Sequence, residues 1–348
     1  MNSDKFAIDK FAIIGENIHT TRVFLRSGKR IGNDTEGKDA VLYKNSNNVD
    51  SFLTIPDETK STKVYEEGRV KHFMAAVISG MSDSKKRQGQ AKDYIASEIH
   101  RQEKFGAHFL DLNVDEISYK RDIQLSAMRW LVSFYSTVAK KPPSIDSSSP
   151  DIIKAGLDEY AEMGFPQGPP MINSASLERA DVLDLAEYYK TSVVITSAGD
   201  SGMPSNTIER VENATRMMDL CSEKNIPYER IHIDALVFPI SVDQTFGNHY
   251  LDAVRYMRKE FGKTVYITGG LSNVSFGLPS RRVINDTFIR LAMDAGVNSG
   301  IVNPVESRIE RIIKLDESRE DVQLAKAMLL GEDEFCMNFI QNYRDGKL

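Results

Sequence analysis

The sequence predicts an α/β chain folded as a (β/α)8 barrel, a TIM barrel, with a long insertion after strand 1 and extra C-terminal helices. Three observations predict it. Eight short apolar runs rich in Ile and Val recur, each ending in small or polar residues; such runs suit strands buried on both faces, as in a parallel sheet. Stretches with helical period stand between most of them. No G-x-G-x-x-G follows the first run, and eight units suit closure better than the alternative, a doubly wound open sheet.

In chain order the runs are 12–18, 109–114, 143–146, 171–174, 192–197, 231–237, 264–267 and 297–302. Ser149-Pro150 opens a helix as N-cap and first helical residue. Tyr250, Val254, Met257 and Phe261 space a helix that Gly262 stops. Ile284, Phe288, Leu291, Ala292 and Ala295 space another, followed by Gly296. A barrel of this kind needs ~250 residues; this chain has 348. The surplus lies in residues 20–80, a polar insertion in the first βα loop, and in residues 307–348, which read as a C-terminal helical extension. No repeat beyond the strand–helix unit and no low-complexity linker is visible. The whole chain, 1–348, is therefore expected to be a single barrel domain.

Composition narrows the function. A formal net charge of −6 gives no whole-chain attraction for nucleic acid or anionic membrane. No apolar run approaches the ~20 residues that span a bilayer, and no signal peptide is visible in MNSDKFAIDKFAIIGE, so a cytoplasmic location is expected. Cys221 and Cys336 are too few for a disulfide framework, and Cys221 falls on an apolar helix face as a buried thiol. The six histidines, His19, His72, His100, His108, His232 and His249, are scattered and read as surface or satisfied core; no metal site is expected.

In such a barrel the chemistry stands at the C-terminal ends of the strands. Strand 1 ends in Gly15-Glu16-Asn17, strand 2 in Asp111-Leu112-Asn113, strand 3 in Asp146-Ser147-Ser148-Ser149 and strand 4 in Asn173-Ser174. Strand 6 carries Asp234, and strand 7 runs to Ser272-Asn273. Asp, Asn and Ser favour strand ends for local hydrogen-bonding reasons, and for each alone that reading suffices. It does not explain why Asp146, Asn173, Asp234 and Asn273 converge from four strands. Carboxylates with carboxamides, and no metal, suit a flat neutral heterocycle. A carboxylate accepts two parallel bonds from an amino-pyrimidinone edge, and Asn both donates and accepts. A pterin has such an edge.

The ordered set GEN, LDLNV, IDSS, MINS, IDALVFP and GLSNVSFG, with a following Arg and IN.TF, closely resembles the pterin-binding barrel of the methyltetrahydrofolate:corrinoid methyltransferases. That family includes the folate module of cobalamin-dependent methionine synthase and is related to dihydropteroate synthase. The resemblance covers roughly residues 10–18 and 90–305. It implies that Asp146 binds the pterin edge, that Asn173 reads the ring beside it, and that Asp234 is the second pterin-contacting aspartate. It implies that Asn273 approaches N5, where the methyl group is gained or lost. Glu16 and Asn113 match positions lining the same pocket. Arg281 matches an arginine near the folate, with Arg282 adjacent.

The implied substrates are tetrahydrofolate or 5-methyltetrahydrofolate and a corrinoid, cobalamin, as methyl donor or acceptor. No Asp-x-His-x-x-Gly stands in the chain, so the corrinoid is expected on a partner protein or as free cofactor. A homodimer is expected from the resemblance. Two other functions fit the same binding residues: a dihydropteroate synthase-like enzyme, which the absence of a Lys-x-x-Ser-Arg-Lys type segment disfavours, and a non-catalytic folate-binding partner of a corrinoid protein. The insertion, with KNSNNVDSFLTIPDETKSTK at its heart, reads as a surface elaboration or as a lid or docking surface for the corrinoid partner. On that reading, removal of residues 30–65 spares the fold.

Overall fold

The computed structural model describes residues 11–200 and 202–348; most of the N-terminal stretch read for a leader lies outside them. The eight barrel strands are Ala12–His19, Phe109–Asn113, Pro143–Asp146, Met171–Ala175, Ser192–Thr196, Ile231–Asp234, Tyr266–Thr268 and Ser299–Val302. They form one sheet in which each strand neighbours the next in chain order, and the eighth lies beside the first. The seventh strand also meets the eighth: Ile301 N–H donates to Gly269 O at 3.0 Å, and Gly270 bridges Ile301 in parallel. The fold is thus the expected (β/α)8 barrel, its strands apolar because both faces are covered. Among the described residues no helix is long and apolar enough to cross a membrane.

The chain divides into two compact units, Gly15–Asn173, and Met1–Ile14 with Ser174–Leu348. The first contains the insertion, which is an ordered structure with a core of its own. Val23–Leu25 pairs antiparallel with Arg69–Lys71, and Ile31–Asn33, Asp39–Lys44 and Asp50–Thr54 form a three-stranded antiparallel sheet. The polarity of KNSNNVD is turn chemistry: Asn45 Oδ1 accepts from Asn47 and Val49 N–H, and Asn48 takes φ 62°, a conformation Asn tolerates.

This sheet is fastened to a helix. It lies along the first barrel helix, Lys85–Lys104. Thr54 N–H donates to Gln90 Oε1, Tyr43 Oη donates to Asp93 Oδ2 at 2.7 Å, and Ser46 at the hairpin tip bonds His100. Lys86 pairs with Glu36. From Lys86 to His100 the contacts follow the helix for about 21 Å. Tyr43 packs edge-on against the fully buried Tyr94 at 4.8 Å. Removal of 30–65 takes Tyr43 from Tyr94 and uncovers a helix face that the sheet covers, so the expectation that it spares the fold carries a cost in stability.

In the second unit the helices follow the expected spacing. Phe246–Phe261 buries Tyr250, Val254 and Met257 and stops at Gly262, φ 74°; Arg281–Ala295 stops at Gly296, φ 120°. The tail forms helices Ile309–Ile312, Glu320–Leu329 and Met337–Arg344. Cys221 is buried, its thiol pushed up to about 12 by burial.

Candidate functional site

Within Gly15–Asn173 the strand ends assemble a connected polar cluster. Asp146 stands half-buried at the end of its strand. Its Oδ2 accepts from Asn113 Nδ2 at 3.1 Å and lies 3.5 Å from His19 Nε2; its Oδ1 makes no hydrogen bond among the described residues. Asn113 is fully committed, because its Oδ1 accepts from Asp115 N–H at 3.0 Å. Asp115 in turn accepts from Ser147 Oγ and from Ser148 N–H and Oγ. The three serines after strand 3 are thus loop fasteners, and Ser149 caps by position only, without a side-chain cap bond.

Asp111 lies beneath this surface, 2% exposed, and accepts from Asn173 Nδ2 at 3.2 Å. Burial, with the neighbouring Asp146 carboxylate second, holds its carboxyl well above the usual range. Among the described residues its Oδ1 has no hydrogen-bond partner, which makes a charged form of this buried group costly. Glu16 pairs with Arg22 at 2.8 Å, and Arg22 Nε donates to Glu16 O at 3.2 Å. His19 bonds Thr21 Oγ1 at 2.7 Å through Nδ1, which leaves Nε2 toward Asp146.

Within Met1–Ile14 and Ser174–Leu348 the geometry is different. Asp234 ends the sixth strand, which is three residues shorter than its apolar run. The chain breaks there because Leu236 adopts φ 61°, unfavourable for a branched side chain. Two interactions hold it: Leu236 N–H donates to Asp234 Oδ1 at 2.7 Å, and Arg210, wholly buried, donates to Ala235 O at 3.1 Å and Asn206 O at 2.9 Å. Asp234 Oδ2 makes no hydrogen bond among the described residues. Burial raises the Asp234 carboxyl to about 6, against the Leu236 N–H and the Arg210 charge.

Asn273 is not on the seventh strand. That strand ends at Thr268, and Asn273 sits on a 3-10 turn, Leu271–Ser275. Gly269 and Gly270 allow the fold-back: a Cβ on Gly270 would lie 2.7 Å from Asn273 Nδ2, and one on Gly269 2.9 Å from Tyr250 Oη. The Asn273 side chain is exposed and makes no hydrogen bond among the described residues. Its turn is clamped from outside. Arg281 donates through Nε to Ser275 Oγ at 2.9 Å and through Nη2 to Ser272 O at 2.8 Å. Of the two adjacent arginines, Arg281 makes these bonds to the turn.

The structure brings Glu16, Asn113, Asp146 and Asn173 into one unit's strand ends, and Asp234, Asn273 and Arg281 into the other's. Sequence reasoning missed His19, Arg22, Arg210 and the burial of Asp111. His19 was grouped with the scattered histidines, although it closes the apolar run of the first strand; His72 and His232 are the core histidines, with imidazoles lowered to about 3 by burial.

A parallel barrel with carboxylates and carboxamides at its strand ends defines a pterin-binding enzyme, and the chain belongs to the pterin binding enzyme family, which it matches over residues 78–303. It is 28% identical over 281 residues to a methylcorrinoid:tetrahydrofolate methyltransferase of Eubacterium limosum, covering 78% of this chain and 95% of that protein. It is 31% identical over 234 residues to a methionine synthase of Mycobacterium leprae, covering 63% of this chain but only 18% of that larger protein. Among solved structures, a dihydropteroate synthase of Yersinia pestis in a sulfonamide drug complex shares the fold, with a TM-score of 0.50 at 14% identity over 64% of this chain and 85% of the other.

Proposed function

We propose that this chain is a methyltransferase that moves a methyl group between N5 of tetrahydrofolate and the cobalt of a corrinoid, the corrinoid arriving on a partner protein or as free cobalamin. The observation that carries the reading is the strand-end carboxylate Asp146, secured by the protein through one oxygen and open at the other, in a barrel of the pterin binding enzyme family. A tetrahydropterin has donors to match, N3–H and the adjacent amino group, and Asp234, likewise held through one oxygen, is the second pterin-contacting aspartate that the resemblance implies. Asn173 reads the ring beside Asp146. Asn113 acts through Asp146, since both of its polar groups are already used. Glu16, tied to Arg22, lines the same pocket. The reading keeps one barrel domain over residues 1–348, and a homodimer is the assembly carried over from the family resemblance.

The chemistry is an SN2 displacement. In one direction the N5 lone pair attacks the methyl carbon, the cobalt–carbon bond breaks with its electrons left on cobalt, and N5 sheds its proton. In the other, cobalt(I) attacks the methyl of a protonated N5, which leaves as the neutral amine. In both, charge develops or decays at N5. The free carboxamide of Asn273 can turn to meet it without titrating, and donors placed where charge develops act through electrostatics. The remaining work is positioning.

The reading is tested with purified protein, tetrahydrofolate and methylcobalamin under anaerobic conditions. Folate-dependent loss of the methylcobalamin spectrum supports it. Condensation of para-aminobenzoate with a pterin pyrophosphate would replace it with the synthase reading. Folate binding without transfer to or from any corrinoid, free or protein-bound, would leave only a binding protein.

A further inference from the structure

The first barrel strand, Ala12–His19, has eight residues where the other seven have three to five. The extra length brings His19 to the polar cluster after the third strand. The chain is anchored as it leaves the strand. Thr20, wholly buried, donates its N–H to Asn113 O at 3.1 Å, and its Oγ1 accepts from Glu116 N–H at 3.2 Å. One residue on, Thr21 turns back onto the imidazole: its N–H donates to His19 Nδ1 at 3.2 Å, and its Oγ1 lies 2.7 Å from the same atom. A backbone N–H can only donate, so Nδ1 is the acceptor and the proton of the neutral ring sits on Nε2. That nitrogen lies 3.5 Å from Asp146 Oδ2. The loop thus imposes the tautomer that offers the carboxylate a donor.

Asp146 has need of one. The buried Asp111 carboxyl is its neighbour, and Glu16 adds a third carboxyl to the group. Glu16 has Arg22 as partner at 2.8 Å. Among the described residues Asp146 has no arginine or lysine within ion-pair distance; His19 is the basic side chain it meets, and Asn113 Nδ2 is its other donor, on the same oxygen at 3.1 Å. We propose that His19 is a positioning residue for ring binding: with Asn113 it occupies Oδ2 of Asp146, fixes the rotation of the carboxyl and leaves Oδ1 open to the ring. His19 acts through Asp146 and works as a neutral donor, so another side chain that places an N–H there replaces it. At 3.5 Å the contact is long for a full hydrogen bond, which makes its contribution modest. This inference rests on the folate reading above and adds a residue to the recognition of the ring.

Equilibrium titrations of the full chain with tetrahydrofolate test it, using the parent, His19→Phe, His19→Gln, Asp146→Asn and the His19→Phe/Asp146→Asn double variant, with a urea midpoint for each. His19→Phe removes the donor and is expected to weaken binding about 3- to 10-fold, with the loss in the dissociation constant rather than in the single-turnover rate at saturation. His19→Gln keeps an N–H without a charge and is expected to bind within about twofold of the parent. In the Asp146→Asn background, His19→Phe is expected to change affinity by less than about twofold, because the group it acts through is gone. Unchanged affinity in His19→Phe, a His19→Gln protein as weak as His19→Phe, or the same loss with and without Asp146 overturns the proposal and leaves the folate reading standing. A loss of binding in His19→Phe that follows a matching fall in its urea midpoint would show a merely structural role and also overturn it. A folded parent that does not bind tetrahydrofolate overturns both.

Discussion

The end of the third strand and the turn after the seventh place their key residues by opposite means. Asp146 projects from a strand, and Asn113, Asp115, Ser147 and Ser148 form a chain of bonds that fixes its surroundings. Asn273 projects from a 3-10 turn that Arg281 clamps at Ser272 O and Ser275 Oγ, and its carboxamide makes no hydrogen bond among the described residues. On the proposed function the difference separates two tasks. A group that recognises a rigid ring gains from preorganisation, because its geometry is fixed before the ligand arrives. A group that follows charge at a reacting atom gains from having no competing partner in the resting state. Asp234 lies between the two: fixed through one oxygen by Leu236 N–H and held in an environment that resists its charge.

The sharpest break of that comparison comes from removing each side chain in turn. Asn273→Ala is expected to slow methyl transfer by about 100-fold or more, measured under single-turnover conditions. Asp146→Ala loses charge-assisted bonds to the ring and is expected to weaken folate binding by about 10- to 100-fold, measured by titration, with a smaller effect on the rate at saturation.

Asp234 separates binding from stability. Between the ordinary carboxylate value and about 6, the folded chain holds a proton that the unfolded chain releases. Stability therefore falls as pH rises through that window, by up to about 3 kcal/mol. Asp234→Asn keeps an acceptor for Leu236 N–H and removes the buried charge. It is expected to stabilise the chain at pH 7, to flatten the pH 4–6 dependence of chemical denaturation, and to weaken folate binding. A loss of stability at pH 7 would mean that Asp234 is better solvated than its burial indicates.

Two smaller effects test the supports. Arg281→Ala removes the guanidinium bonds to Ser272 O and Ser275 Oγ, and is expected to cost about 1 kcal/mol of stability and to slow transfer less than Asn273→Ala does. Tyr43→Phe removes the bond to Asp93 in the insertion. It is expected to cost about 1 kcal/mol in denaturation and to leave transfer kinetics unchanged, since the three-stranded sheet clads a helix.

Much of this was legible in the sequence because periodicity reports burial directly. Apolar runs gave the eight strands, and Gly262 and Gly296 gave two helix stops. What periodicity does not report is where a strand breaks by backbone conformation. The apolar run through Val237 hides the left-handed Leu236, and the run into Ser272-Asn273 hides a turn that needs Gly270 against Asn273. Long-range polar partners were equally silent. Arg210 lies on a helix whose period marks it as nothing special, yet its side chain is buried across the loop after the sixth strand. The insertion misled because its polarity sits in hairpin turns, while its buried face, Val41, Tyr43 and Leu53, is only a few residues in each strand.

The central claim is that recognition and reaction are divided between Asp146 and Asn273. The most direct test is one anaerobic single-turnover experiment, at saturating tetrahydrofolate, with parent, Asn273→Ala and Asp146→Ala proteins and a methylated corrinoid, paired with folate dissociation constants for all three. The account predicts that Asn273→Ala binds folate within a few-fold of the parent and transfers methyl slowly, whereas Asp146→Ala binds weakly and transfers at near the parent rate once saturated. Equal losses of binding and transfer in Asn273→Ala, or a saturated rate in Asp146→Ala as low as that of Asn273→Ala, would contradict it.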